Sequence, residues 1–446
     1  MSAPFRSPTM RLLSLLLLLF SLAGLRPVAA DEPIPADPPA RWWKGNLHTH
    51  TLWSDGDDFP EMIAEWYRDR DYHFLTLSDH NRLSEGQRWM KIADIDKRGG
   101  TNVFEKYVKR YGDSWVETRG AAGRPKSEVR LKPLEEFRTL VEDRGRFLMI
   151  QGEEITDKSE GVPVHMNATN LKDQIEPLGG ATVRETIENN LRNVEDQAKR
   201  LGREILIHLN HPNFHYGVTA EDLAHAVTEQ YFEIFNGHPG VNIPGDEQHP
   251  SVDRIWDIAN TIRLAHLKAP ALYGLGTDDS HNYHAKTNPS APGRGWQMVR
   301  ATHLTPEKII RAIRAGDSYA SSGVTLRDVR YDAGQKLLEI EVEPNGDAVF
   351  TIEFIGTPKT VDPEGKVVLD KDGQPLKDKA GKPLRVSKTY SEQIGQVLAT
   401  STGLKARYEL TGKELYVRAR VTSSLPPANP SYKNQRAQAW TQPVGW

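Results

Sequence analysis

Seven short apolar runs, each closing on a cluster of chemically active polar residues, recur between about residues 41 and 324. They are WKGNLHTHT, HFLTLSDHN, RFLMIQGEEIT, VPVHMNATN, EILIHLNHPN, YFEIFNGHPG and ALYGLGTDDSH. Between many of them lie segments with helical spacing of apolar residues, at 59–70, 182–200, 220–227 and 251–268. Strands alternating with helices predict a parallel sheet. Polar groups gathered at so many strand ends predict a closed α/β barrel whose site lies at the carboxyl ends of the strands. The polar clusters should therefore meet in space.

Two stretches break the alternation. Between His80 and Glu154 an insert at about 82–146 is rich in Arg, Lys and Trp and mostly helical in pattern, which suits either a lid or surface decoration. After ASSGV at 320–324 the segments KLLEIEVEP, AVFTIEFIG, ARYEL and ELYVRARVTSS alternate apolar and polar residues with the two-residue period of half-buried strands. They predict a small C-terminal β-sandwich-like domain over 325–446, after a larger domain over 31–324. DKDGQ within it lacks the closing glutamate of a calcium loop, so hairpin turns are expected there.

A chain of 446 residues, 38% hydrophobic and 26% charged, can bury a large core. Residues 1–30 stand outside it. Arg6 and Arg11 precede the run LLSLLLLLFSLAGL, and Val28-Ala29-Ala30 offers small residues before Asp31. That is the pattern of a signal peptide cleaved after Ala30, which predicts a periplasmic or secreted protein. A membrane anchor is the alternative, but the run is shorter than the ~20 apolar residues a spanning helix needs, and no later segment is long and apolar enough.

The chain has no cysteine, so a metal would be held by His, Asp and Glu, donors that suit zinc, manganese or iron. The formal charge of −3 becomes −6 when Arg6, Arg11 and Arg26 leave with the leader, and no basic run tracks a phosphate backbone. Nucleic acid is not an expected partner. A small anionic substrate is compatible, because metal charge outweighs a mildly acidic surface locally. Nothing in the sequence indicates an oligomeric state.

His48 and His50, two apart on a strand, face the same way and can share one ion. Alone, His-x-His is a weak signal. It gains weight from Asp79-His80, Glu153-Glu154, His165, His208 with His211, and Asp278-Asp279-Ser280-His281 at later strand ends. So many acids and imidazoles are costly to bury without cations between them.

The ordered series His-x-His, Ser-Asp-Gly, Ser-Asp-His, Gly-x-Glu, His, His-Pro and Asp-x-His, spread from Gly45 to Ser322, resembles the PHP (polymerase and histidinol phosphatase) superfamily of metal-dependent hydrolases. Its later part is similar to the exported, carbaryl-hydrolase-like branch. The resemblance implies a distorted (β/α)7 barrel, TIM-like, with two or three divalent ions. It places His48, His50 and Asp279 at a first metal position, with Glu154 as the bridging carboxylate. His165 and His211 fall at a second position, and Asp55, His80 and His281 at a third. Some members carry histidine where Asp55 stands.

Among the neighbours, Glu153 and Asp278 should point away from the ligands, while His208 and His73 suit structural roles. His215, His238 and His284 lie in loops near the expected mouth, and Glu233 and Asn236 at a strand end. Arg294 is a candidate to grip an anionic group with its planar fork, or to form a plain salt bridge. The expected chemistry is hydrolysis of a phosphate ester, with Asp279 receiving a proton and His80 or His281 assisting the leaving group. The same site would serve a carbamate or carboxylic ester. A secreted metal-containing binding protein without turnover is the reading outside enzymes.

Overall fold

A computed structural model describes residues 37–100, 102–120, 127–284, 289–377, 381–382 and 384–446. The expected leader lies outside the described residues. Among them, no helix is long and apolar enough to cross a membrane. One compact unit runs from Pro39 to Trp446.

The chain starts with β1 (Arg41–Asn46), α1 (Pro60–Arg68) and β2 (Phe74–Leu77). The insert follows, as β3 (Arg88–Lys91), α2 (Ile92–Gly99), α3 (Val103–Tyr111), β4 (Thr118–Arg119), β5 (Glu128–Leu131) and α4 (Leu134–Val141). It thus adds a small sheet, in the order β3-β5-β4, to the helices its pattern predicts. Next come β6 (Leu148–Ser159), β7 (Val162–Thr169), α5 (Val183–Leu201), β8 (Leu206–Leu209), α6 (Ala220–His225) and β9 (Tyr231–Asn236). Then α7 (Val252–Thr261), β10 (Tyr273–Thr277), β11 (Trp296–Ala301), α8 (Pro306–Arg314) and β12 (Ser318–Ser321) complete this part.

The helices begin and end where local chemistry directs. Thr182 caps α5 by accepting from the Glu185 amide, and Gly202 closes it in the left-handed conformation. Thr219 and Asp222 form a reciprocal capping box on α6.

The architecture is mixed α/β with one large sheet, in the order β10-β9-β8-β7-β6-β2-β1-β11-β12, continuing into the C-terminal strands. Pairings β1–β2, β2–β6, β8–β9 and β9–β10 are parallel. The parallel expectation fails at β7, which runs antiparallel to both β6 and β8, and at β11, which runs antiparallel to both β1 and β12. Only Glu160 and Gly161, both at positive φ, separate β6 from β7, and so short a link makes a hairpin rather than a crossover. Beyond the ends of β1 and β10, Thr49 bridges Ser280, the Asp279 amide donates to His48 O at 3.1 Å, and the His50 amide to Ser280 O at 3.0 Å.

The C-terminal strands are β13 (Leu326–Asp332), β14 (Leu337–Val342), β15 (Phe350–Pro358), β16 (Gln396–Thr402), β17 (Lys405–Glu409), β18 (Glu414–Ser423) and β19 (Gln438–Thr441). Strand β19 pairs with β12, so β19-β18-β15-β16 extends the large sheet. A separate sheet, β13-β14-β17, shares a core with it: Leu338, Ile340 and Val342 cluster with Ile352, Phe354 and Val421. At DKDGQ, Asp370 Oδ1 accepts from the amides of Asp372 and Gln374, and Leu369 bridges Pro375, a tight turn as expected.

Candidate metal centre

The HTHTLWSDG stretch leaves β1 and is folded around Asp79. Its Oδ1 accepts from the Thr51 amide (2.8 Å), the Ser54 amide (2.9 Å) and Ser54 Oγ (2.6 Å), while Oδ2 accepts from Thr51 Oγ1 at 2.9 Å. Gly56 lets the turn close: a Cβ there would stand 2.6 Å from His50 C, His50 O and Thr51 N. From the insert, Arg98 on α2 donates to Ser54 O at 2.8 Å and Gly56 O at 2.9 Å. The loop bearing Asp55 is therefore fixed from two sides.

All nine expected ligands converge. They fall into four overlapping groups: His48, His50 and Asp279; His48, Glu154 and His211; His80, Glu154 and His165; and His50, Asp55, His80 and His281. In the first, His48 Nε2, His50 Nε2 and Asp279 Oδ1 form a triangle with sides of 3.1, 3.3 and 3.2 Å. Donors bonded at ~2.1 Å to one tetrahedral ion stand roughly 3.4 Å apart, so the triangle fits a shared cation.

The tautomer supports the same conclusion. Glu233 Oε1 lies 2.7 Å from His48 Nδ1 and, being a carboxylate, accepts the proton there. When the ring is neutral, its Nε2 lone pair faces His50 Nε2 and the carboxylates of Asp279 and Glu154 (3.3 and 3.5 Å). Between those acceptors stands either a second proton on the His48 ring or a cation in its place. Burial opposes charge on His48, yet Asp279, Glu233 and Glu154 raise its pKa well above the ordinary imidazole value. Its neighbour His50 is pushed down to about 3 by burial and by His281 and His80, so the two rings do not both hold a proton.

Glu154, on β6, is the hub. Its Oε1 stands 3.1 Å from His165 Nδ1 and 3.4 Å from His211 Nε2, and its Oε2 stands 2.7 Å from His80 Nδ1 and 3.4 Å from His50 Nε2. Burial works against its charge, but His80, His48 and His165 hold the carboxyl well below the usual range. Asp55 gathers the last group, with 3.5 Å separations to His50 Nδ1, His80 Nε2 and His281 Nε2. His48, His50 and His80 thus each face two groups, where the resemblance assigned them one. This side is the open one: Asp55 is 53% exposed and His80 28%, whereas His48, His50 and Glu154 are fully buried. Asp279 follows β10 in the left-handed conformation (φ 49°), which aspartate tolerates and which strained active-site backbone often adopts.

The surrounding residues sort clearly. Glu233 is buried behind His48, and its Oε2 accepts from the His211 amide and from Asn236 Nδ2, both at 2.8 Å. Asn236 also donates to Asp279 Oδ2 at 3.1 Å. Asn210, which the sequence did not single out although it directly precedes His211, donates to Glu154 Oε1 at 2.8 Å. Glu153 and Asp278 accept from backbone amides away from the cluster, of Ile175 and of Gly293 to Gly295.

His208 is buried 3.5 Å from Glu233, and His73 accepts from the Lys44 amide. His284 pairs with Asp58 at 2.9 Å, and His215 is exposed. Arg294 donates through Nη1 to the carbonyls of Gly237 (3.2 Å) and Pro289 (2.5 Å), so it ties loops together.

The fold and site define a mixed α/β protein with a buried His/Asp/Glu cluster able to hold divalent ions. No family model and no curated protein matches the chain. Among solved structures it is similar to a two-domain protein containing a predicted PHP-like metal-dependent phosphoesterase from Bacteroides vulgatus ATCC 8482. That match has 13% identity and a TM-score of 0.37, covering 92% of this chain and 97% of that one. It is also similar to a protein named as a metal-dependent phosphoesterase from Bifidobacterium adolescentis ATCC 15703, with 15% identity and a TM-score of 0.29, covering 57% and 94%. At these values the site geometry, not the likeness, carries the functional reading.

Proposed function

We propose that the chain is an exported metal-dependent phosphoesterase of the PHP type. In this reading β1, β2 and β6 to β10 form a distorted seven-stranded barrel, closed where Thr49 bridges Ser280, and residues 325–446 form a β-sandwich-like domain. The leader expected at residues 1–30 supports export. One observation carries the activity: nine donors from six strands and their following loops converge around Glu154 at the spacing of ligands to divalent ions.

Two or three such ions, of zinc, manganese or iron, would bring water toward ionisation near neutral pH and draw charge from a phosphoryl group. The protein's own part follows from its geometry. His48, His50 and Glu154, fully buried, fix the floor of the site. Asp279 faces the His48–His50 pair through Oδ1 and His211 through Oδ2 at 3.9 Å, so it can bind on one oxygen and receive a proton on the other. His80 and His281, on the open side with Asp55, are placed to assist the departing alcohol. The substrate is a small anionic ester, attracted by the ions rather than by Arg294.

The test is a panel of phosphomonoesters, phosphodiesters and aryl carbamates offered to the metal-loaded chain without its leader. Turnover of a phosphate ester is expected, with Asp279→Asn lowering kcat at least about 100-fold while the melting curve holds. Turnover of carbamates alone would make the site a carbamate hydrolase, and turnover of nothing would leave a binding protein.

A further inference from the structure

Beside the cluster, the loops after β8 and β9 form a second preorganised feature. Phe214 is half-buried, with its ring centroid 4.9 Å from that of His211, 6.2 Å from that of His165 and 5.9 Å from that of His238. Its loop is held rigidly. Phe214 bridges Val241, and Asn213 Nδ2 donates to Asn242 O (2.9 Å) and Pro250 O (3.0 Å). The next two residues, His215 and Tyr216, both take left-handed φ values, 50° and 53°, which non-glycine residues keep only where surroundings enforce them. Tyr216 is pinned accordingly: it stacks on His249 at 3.5 Å, donates to Asp246 and accepts from Asn242.

His238 is fixed just as firmly. Its amide donates to Asn236 Oδ1 at 2.8 Å, and its Nδ1 accepts from the Gly240 amide at 3.0 Å. An imidazole whose Nδ1 accepts must carry its proton on Nε2, so His238 is a neutral donor. Its ring stands 5.5 Å from that of His281, on the open side of the cluster. Gly240 permits this approach: a Cβ there would lie 2.9 Å from His238 Nδ1 and 3.1 Å from Phe214 Cε2.

We propose that Phe214 and His238 form the subsite for the alcohol part of the ester, that this part is aromatic, and that His238 Nε2–H donates a hydrogen bond to an oxygen of the reacting group. An aryl group would cover the open part of the Phe214 ring, as a methyl group cannot. A neutral donor held at the rim binds oxygen without reorganising as charge develops. The proposal rests on the phosphoesterase reading, and its test separates the two.

Calorimetric titration of the metal-loaded chain with phenylphosphonate and with methylphosphonate, neither hydrolysable, reads the subsite directly. The wild-type chain should bind the phenyl probe about tenfold more tightly. Phe214→Leu keeps apolar bulk but no ring face, and should bring the preference within about twofold. His238→Asn can still accept the Gly240 amide, but its Nδ2–H2 falls short of the position the imidazole Nε2–H reaches, and it should weaken both probes about fivefold without changing their ratio. Metal content and melting temperature should match the wild type in both variants.

Equal binding of the two probes by the wild-type chain overturns the aromatic subsite while leaving the phosphoesterase reading intact. Loss of metal in either variant would make the loops structural and also overturn it. If neither phosphonate binds, both readings fall.

Discussion

Glu233 decides which nitrogen of His48 faces the cluster. It accepts the Nδ1 proton of His48, the hydroxyl of Thr277 at 2.8 Å and the amide of His211, so one buried carboxylate orients ligands on two strands' ends. Although burial alone would raise its pKa, His48 and His208 hold it well below the usual range, and it stays an acceptor. Glu233→Gln should weaken metal binding about 10-fold to 100-fold, as loss of a partner behind a ligand typically does, with the chain still folded. A competition titration against a chelator measures this; unchanged affinity would show that Glu233 does not orient His48. The sequence marked Glu233 only as a strand-end residue, because its partner lies 185 positions away and no local pattern encodes that contact. Arg294 shows the converse: its type suits an anion, but loop carbonyls claim it.

At the scale of elements, the insert serves the site through the turn it holds. Leu52, Trp53 and Phe59 of the first loop share a buried cluster with Ile95, Val103, Tyr107, Val129 and Leu131 of the insert, and Arg98 ties down the carbonyls on either side of Asp55. Arg98→Ala should cost on the order of 1 to 2 kcal/mol of stability and release Asp55. In the proposed centre, an ion at Asp55, His80 and His281 should then be lost first in a chelator titration, with any others retained. Simultaneous loss of all ions, or of none, would contradict this link. The insert's helical spacing was legible, but its docking was not, since β3-β5-β4 and the packing on Trp53 are tertiary pairings. The β6–β7 hairpin is illegible for a related reason: the apolar runs show in the sequence, but the alternation around them predicts a parallel sheet, and only the structure shows the two-residue reversal at Glu160-Gly161.

Over the whole molecule, the polar strand ends were the most legible feature, because the cost of burying uncompensated acids and imidazoles limits where a sequence can place them. All nine predicted ligands meet for that reason. The C-terminal strands were legible by their period, but their attachment was not: β19 pairing with β12, and Arg418 on β18 buried between Asp253 (2.8 Å) and Asp257 (2.7 Å) of α7, depend on distant partners. In the proposed function these side chains form one multinuclear centre with Glu154 as its hub, and metal analysis of the chain after loading and desalting counts its ions. Wild-type protein should retain about two to three divalent ions per chain, and Glu154→Gln, which alters the carboxylate facing His48, His50, His80, His165 and His211, should lose at least one. Retention of less than one ion by the wild type, or an unchanged content in Glu154→Gln, would mean that the cluster is not a multinuclear centre built on Glu154.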